Sequence, residues 1–246
     1  MTGTPTYLQE PLWWLLFNLI VSFGLWWGYP RIASHYRHLV LRARWIGIPY
    51  LSLMLGSVSP RLMGLTGINW LASFGFGMGM IGVVLALLTV VRSTTDSYAN
   101  ALSLPTISAH LDSAPLDEVN RRGSRVSVFT PVSLLDLGAE EFHWAFLRGA
   151  LWELFLAIPA WAAQAGYWAV WGAALLAIPD ILRYQPTLPY RLFKCALLFV
   201  TSVLFLYTRN FWLCWLLHSL GWLLLTPATL ARNTNTVKQS QPEPRA

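Results

Sequence analysis

The stretch Gly138-Ala-Glu140-Glu141-Phe-His143-Trp-Ala-Phe-Leu-Arg148 sets four ionisable side chains inside a run otherwise apolar enough to cross a bilayer. Each such group costs roughly 2.5 to 3.5 kcal/mol on insertion scales, so a chain that keeps them there uses them. On a helix advancing 100° per residue, Glu141 and Arg148 stand within about 20° of one another, with Glu140 and His143 on the neighbouring face and Glu153 pointing away. Two adjacent carboxylates in a low dielectric do not both ionise easily. Arg148 is placed to hold one as the anion, which leaves the other to take a proton from water as a general base and return it as an acid. The competing structural reading is an ion-pair network that fixes helix packing, with His143 and His218 as hydrogen-bonded packing histidines.

A second constellation, Arg209-Asn210-Phe-Trp-Leu-Cys214-Trp-Leu-Leu-His218-Ser219-Leu-Gly-Trp222, closes the last apolar run. His218 lies about 12 Å from the outer end of that run, at 1.5 Å per residue, and Glu140 lies about as deep from the opposite end of its own. Both therefore reach mid-membrane. Cys214 and His218, four apart on one helix face, have the spacing of a thiol-imidazole pair, although a buried cysteine is usually a small hydrophobe. Zinc would draw on His143, His218 and a glutamate, but no known zinc spacing is present. No cofactor is expected. Gly77-Met-Gly79-Met-Ile-Gly82 has the letters of a dinucleotide fingerprint, which works only where a strand turns into a helix. Here it lies mid-span, and Gly75 with Gly79 is read as a small-xxx-small pair for close helix approach.

The elements that must position these groups follow from composition. Hydrophobic residues make up 55% of the 246, charged residues 11%, with 14 Trp and a mean hydropathy of +0.48. A soluble domain carries about a quarter charged residues. The expected fold is an all-α, polytopic integral membrane bundle of about seven transmembrane helices in the cell membrane. Its spans are marked at residues 11–29, 43–60, 68–91, 132–162, 165–182, 190–208 and 210–230, each near the roughly 20 residues a crossing needs. The second span is shortened by Gly47, Pro49, Gly56 and Pro60, and the fourth, longer than one crossing, tilts or breaks near Pro159. Trp13, Trp14, Trp26 and Trp27 bracket the first span as interface anchors, and Asp180 reads as an interfacial partner of Arg183.

The net charge of +6 is spread between apolar runs rather than gathered in a stripe with interleaved aromatics, which excludes a nucleic-acid partner. Those basic residues set topology. Arg31, Arg37, Arg42, Arg44, Arg92, Arg121, Arg122, Arg125, Arg183, Arg191, Lys194, Arg232, Lys238 and Arg245 fall on one side, against Arg61 and Arg209 on the other. The amino terminus is expected outside and the carboxyl terminus in the cytoplasm, with no cleavable signal. Cys195 and Cys214 lie in apolar runs and do not suggest a disulfide framework. The chain divides into a three-span segment (1–91), a cytoplasmic loop (92–130) with a short helix capped by Ser113 and ended by Gly123, a four-span core (131–230) and a disordered tail (231–246).

Glu140-Glu141 and Arg148-Gly149 on a mid-chain helix, followed by His218 on a late one, resemble the CPBP family of intramembrane endopeptidases, which includes the CAAX prenyl proteases and bacteriocin-related membrane proteins. The likeness covers roughly residues 131 to 226. That family carries Glu-Glu-x-x-x-Arg, then Phe-x-x-x-His, then His-x-x-x-Asn after a basic or polar turn and an aromatic, to which Arg209-Asn210-Phe211-Trp212 is similar. The resemblance implies that Glu140 activates a water, that Arg148 orients the glutamate pair and that His218 helps stabilise the oxyanion, on a membrane-associated peptide substrate. Three departures stand out. Arg148 comes three residues late, with Ala145 at the family position; no histidine occurs between His143 and His218; and Trp222 takes the place of the final Asn. His143 is the candidate substitute for the middle histidine. The missing middle histidine and Trp222 favour the alternative of a CPBP-like membrane protein that acts by binding, as an immunity or partner factor. A small proton-coupled transporter is a third class, for which a repeated half is expected and none is seen.

Overall fold

The computed structural model describes residues 10–102, 131–184 and 188–224, and these are mostly helical, with no strand among them. The short helix expected around Ser113 to Gly123 and the tail from 231 lie outside the described residues. In chain order the helices are α1 (Pro11–Gly28), α2 (Ser34–Met54), α3 (Trp70–Leu102), α4 (Pro131–Leu156), the single turn α5 (Pro159–Ala162), α6 (Ala165–Tyr184), α7 (Leu188–Thr208) and α8 (Phe211–Leu224). A 3-10 turn, Tyr29–Arg31, joins α1 to α2.

Local chemistry sets the boundaries. Pro11 opens α1 at a position where the missing N–H is not needed. The fourth expected span does break before Pro159: α4 stops at Leu156, Ile158 is extended, and Pro159 starts the next turn, because the residue before a proline is pushed out of the helical region. Arg209 adopts φ 48° at the corner between α7 and α8. Asn210 then caps α8, its Oδ1 accepting from the backbone N–H of Trp212 at 3.0 Å and of Leu213 at 3.3 Å.

Four helices are long and apolar enough to cross a membrane: Pro11–Arg31, Trp70–Val91, Ala165–Tyr184 and Tyr190–Thr208. They turn large apolar side chains outward, among them Ile20, Phe23, Leu71, Leu87, Leu175 and Phe199. A surface of that kind suits hydrocarbon, not water. Of the four expected tryptophan anchors, Trp13, Trp26 and Trp27 are exposed, but Trp14 is turned into the core. The other expected spans differ in kind. α8 is apolar but shorter, while α2 carries Arg37, Arg42 and Arg44, and α4 carries Asp136, Glu140, Glu141, Arg148 and Glu153.

α4 is the axis of the bundle. It packs on α6, α2 and α1, and Ala139 to Trp152 is buried almost without a break. The charged helix is thus sheathed by less polar ones. The turn segment 55–69 seals one end: Val58 and Met63 are buried, and the Gly64 carbonyl accepts from Phe211 N at 3.0 Å. Gly149 makes this seal possible, since a Cβ there would lie 2.7 Å from Met63 Cγ and 2.9 Å from Val58 Cγ1.

The contact between α3 and α8 corrects one expectation. Gly75 and Gly79 meet nothing within 4 Å, whereas a Cβ on Gly77 would fall 2.5 Å from Leu213 Cδ1. One turn earlier, Ser73 Oγ donates to the Thr208 carbonyl at 3.1 Å. The small face is therefore Ser73-xxx-Gly77, the same spacing moved two residues around the helix. The dinucleotide-like letters lie within an unbroken α3.

Candidate functional site

The 100° step along α4 spreads Glu140, Glu141, His143 and Arg148 over about 160° of its circumference, with Glu140 in the middle and His143 at the edge opposite Glu141 and Arg148. That spread becomes two polar clusters. One, between α4, α7 and α8, brings together Glu140, Glu141, Arg148 and His218. The other, toward α1, α2 and α6, takes His143.

In the first cluster Arg148 Nη1 donates to Glu141 Oε1 at 2.9 Å, as the seven-residue spacing requires. Its Nη2 donates to Thr201 Oγ1 at 3.3 Å, and the guanidinium lies over the Phe205 ring. His218 Nδ1 stands 3.3 Å from Glu141 Oε2, and its ring stacks on Trp144 at 5.0 Å. Glu141, Arg148 and His218 are each at most 1% exposed. The acidic couplet and the late imidazole do meet.

Lys194, which the charge pattern counts among the topology-setting basic residues, lies inside α7 and is buried as a partner of this cluster. Its Nζ donates to Glu140 Oε2 and lies 2.8 Å from His218 Nε2. The ammonium has no lone pair to offer, so Nε2 must be the acceptor, and the ring proton sits on Nδ1, directed at Glu141. Two carboxylates are thus matched by two cations, Glu141 by Arg148 and Glu140 by Lys194. The expectation that one carboxylate stands without a cation is corrected.

A cavity of about 230 Å³ reaches this cluster from the side of Tyr29, His38 and Asp136, and Glu140, Lys194 and Trp222 line it. A water in the liquid takes about 30 Å³, so the space holds several. Glu140 and Lys194 face it; Glu141, Arg148 and His218 stand behind them. Trp222, in place of a final Asn, offers its ring to Lys194 Nζ at 5.4 Å.

The second cluster draws on Asn18, Arg44, His143 and Asp180. Arg44 Nη2 donates to Asp180 Oδ2 at 2.8 Å and lies 3.3 Å from His143 Nε2 and 3.4 Å from Asn18 Oδ1. His143 thus faces away from Glu141 and His218 and does not stand in for a middle histidine. Arg44, like Lys194, counts among the topology-setting charges by sequence and is buried. Asp180 pairs with Arg44 rather than Arg183, whose Nη2 donates to the Trp26 carbonyl at 3.1 Å while its guanidinium covers the Trp26 ring.

The remaining candidates resolve simply. Cys214 Sγ donates to the Thr201 carbonyl at 3.4 Å, not to His218. Among the described residues no group of three or more His, Cys, Asp or Glu is placed to hold a metal ion. His143 and His218, the two histidines a zinc site would need, belong to different clusters.

Chemically, the first cluster offers a carboxylate at the wall of a cavity wide enough for water, a cation beside it, and a buried Glu-Arg-His frame that fixes both. Compared with protein-family models, with curated proteins and with solved structures, the chain matches none.

Proposed function

We propose that this chain is an intramembrane peptidase of CPBP-like kind, hydrolysing a peptide bond in a membrane-associated substrate with water activated by Glu140. In this reading Glu140 takes a proton from a cavity water as the water oxygen attacks the carbonyl carbon. The carbonyl electron pair moves to oxygen, giving a tetrahedral oxyanion. Collapse then breaks the C–N bond, and Glu140 returns its proton to the leaving amine. Arg148 and His218 hold Glu141 behind it, so the couplet keeps one geometry through both transfers.

The observation that carries this reading is the placing of Glu140 on the wall of the cavity while its partner Glu141 is fully enclosed. The reading includes a multi-pass protein of the cell membrane with seven spans, in which α2 and α8 also cross and α4 crosses as the interior helix. With Arg44 and Lys194 withdrawn from the topology count, twelve basic residues still oppose Arg61 and Arg209. That bias supports an outer amino terminus and a cytoplasmic carboxyl terminus.

The test is turnover. Purified protein in detergent should cleave members of a peptide library, and Glu140→Gln should abolish cleavage; turnover unchanged in that variant rejects the assignment. One observation favours a second reading, that of a membrane protein acting by binding. Both carboxylates already have a cation, the arrangement of a structural ion-pair network. Capture of a stable protein partner by crosslinking, with no cleavage of it, would favour that alternative.

A further inference from the structure

We propose that Lys194 is a catalytic residue of this site, the cation that faces the substrate carbonyl oxygen, and that His218 acts behind it as a positioning residue. This rests on the hydrolase reading above. The resemblance assigns oxyanion stabilisation to His218, but the geometry gives that imidazole no free donor. Nδ1–H is committed to Glu141, and Nε2 accepts from Lys194 Nζ. His218 is fully enclosed and does not line the cavity, whereas Lys194 does.

Lys194 Nζ carries three N–H donors. Glu140 and His218 engage two of them, and the ammonium stands at the cavity wall where a carbonyl oxygen would lie. When Glu140 accepts the proton of the attacking water, its negative charge is lost as the oxyanion's appears. The ammonium then exchanges one anionic partner for another across a short distance. It stays protonated throughout, so no further proton or co-reactant is needed. Fixed charge aimed at a developing oxyanion, in a water-poor setting, is the arrangement that lowers the barrier most.

The experiment uses the full-length protein in detergent and a fluorogenic peptide library, with wild type, Glu140→Gln, Lys194→Met and Lys194→Ala compared. Lys194→Met should lower kcat about 10²- to 10³-fold, the cost of losing one oxyanion donor, with little change in KM. Ethylammonium should restore turnover to Lys194→Ala in a saturable way, and tetramethylammonium, which has no N–H, should not. Turnover that is lost in Glu140→Gln but kept in Lys194→Met overturns the lysine role and leaves the hydrolase reading standing. A Lys194→Ala protein that is folded, inactive and deaf to ethylammonium also overturns it. Absence of wild-type turnover overturns both. Should the lysine variants fail to fold, wild-type binding decides: a phosphinic peptide, anionic at the tetrahedral centre, should bind well above tenfold tighter than its neutral hydroxyethylene counterpart. Equal binding overturns the proposal.

Discussion

Arg44 Nη2 donates to Asp180 Oδ2 at 2.8 Å, tying α2 to α6 across the His143 face of α4. The Arg44 side chain is 2% exposed and that of Asp180 13%. Truncating one member of a buried pair strands the other charge, at a cost of roughly 3 to 5 kcal/mol. Arg44→Met should therefore lower the melting temperature in detergent markedly, and Arg44→Met with Asp180→Leu should recover most of the loss. A double variant no more stable than the single one would show that the pair does not act as a unit.

Arg148→Lys keeps the charge but gives up the fork that spans Glu141 and Thr201, a substitution that is not conservative at a two-partner site. A loss of turnover on the order of tenfold or more is expected, with the protein still monodisperse by size exclusion. Wild-type kcat in this variant would remove Arg148 from the frame that holds the couplet.

Gly149→Ala drives a methyl to 2.7 Å from Met63 Cγ and 2.9 Å from Val58 Cγ1, an overpacking that costs about 1 to 3 kcal/mol. Gly75→Ala meets nothing within 4 Å and should be neutral or slightly stabilising. Adding Met63→Ala to Gly149→Ala should relieve part of the strain. Thermal melts of the four proteins test the order.

Much of this arrangement was legible in the sequence. The Glu141–Arg148 pairing follows from a seven-residue separation, the break before Pro159 from proline sterics, and the meeting of the glutamate couplet with His218 from the equal depths of Glu140 and His218 in their apolar runs. Lys194 and Arg44 were not legible as buried partners, because both stand within the first few residues of their expected spans, where a basic side chain reads as a topology charge at the interface. A charge inventory carried the missing signal: two carboxylates deep in a bundle need two cations, and Arg148 supplies one. The choice between Gly75/Gly79 and Ser73/Gly77 depends on which face meets α8, and one helix's spacing says nothing of its neighbour.

Access to water and exposure of a side chain are different properties in a membrane protein. With Cys195→Ser as background and the enclosed Cys214 kept, Leu137→Cys on the cavity wall should react with a small water-soluble methanethiosulfonate in liposomes. Leu175→Cys, at a position 69% exposed in the middle of α6, should resist the same reagent because hydrocarbon covers it. Rapid labelling of Leu175→Cys would contradict the bilayer-spanning role of α6.

The partner of Glu140 is made late. Lys194 lies 54 residues downstream, so at about 5 to 20 residues per second the ribosome needs roughly 3 to 11 s to deliver it. Arg148 and Glu141 emerge together, but through that interval Glu140 has no counter-ion from α7. Until α7 arrives, the Glu140 carboxyl can enter an apolar setting only in its neutral, protonated form, so the docking of α7 is coupled to the ionisation of Glu140.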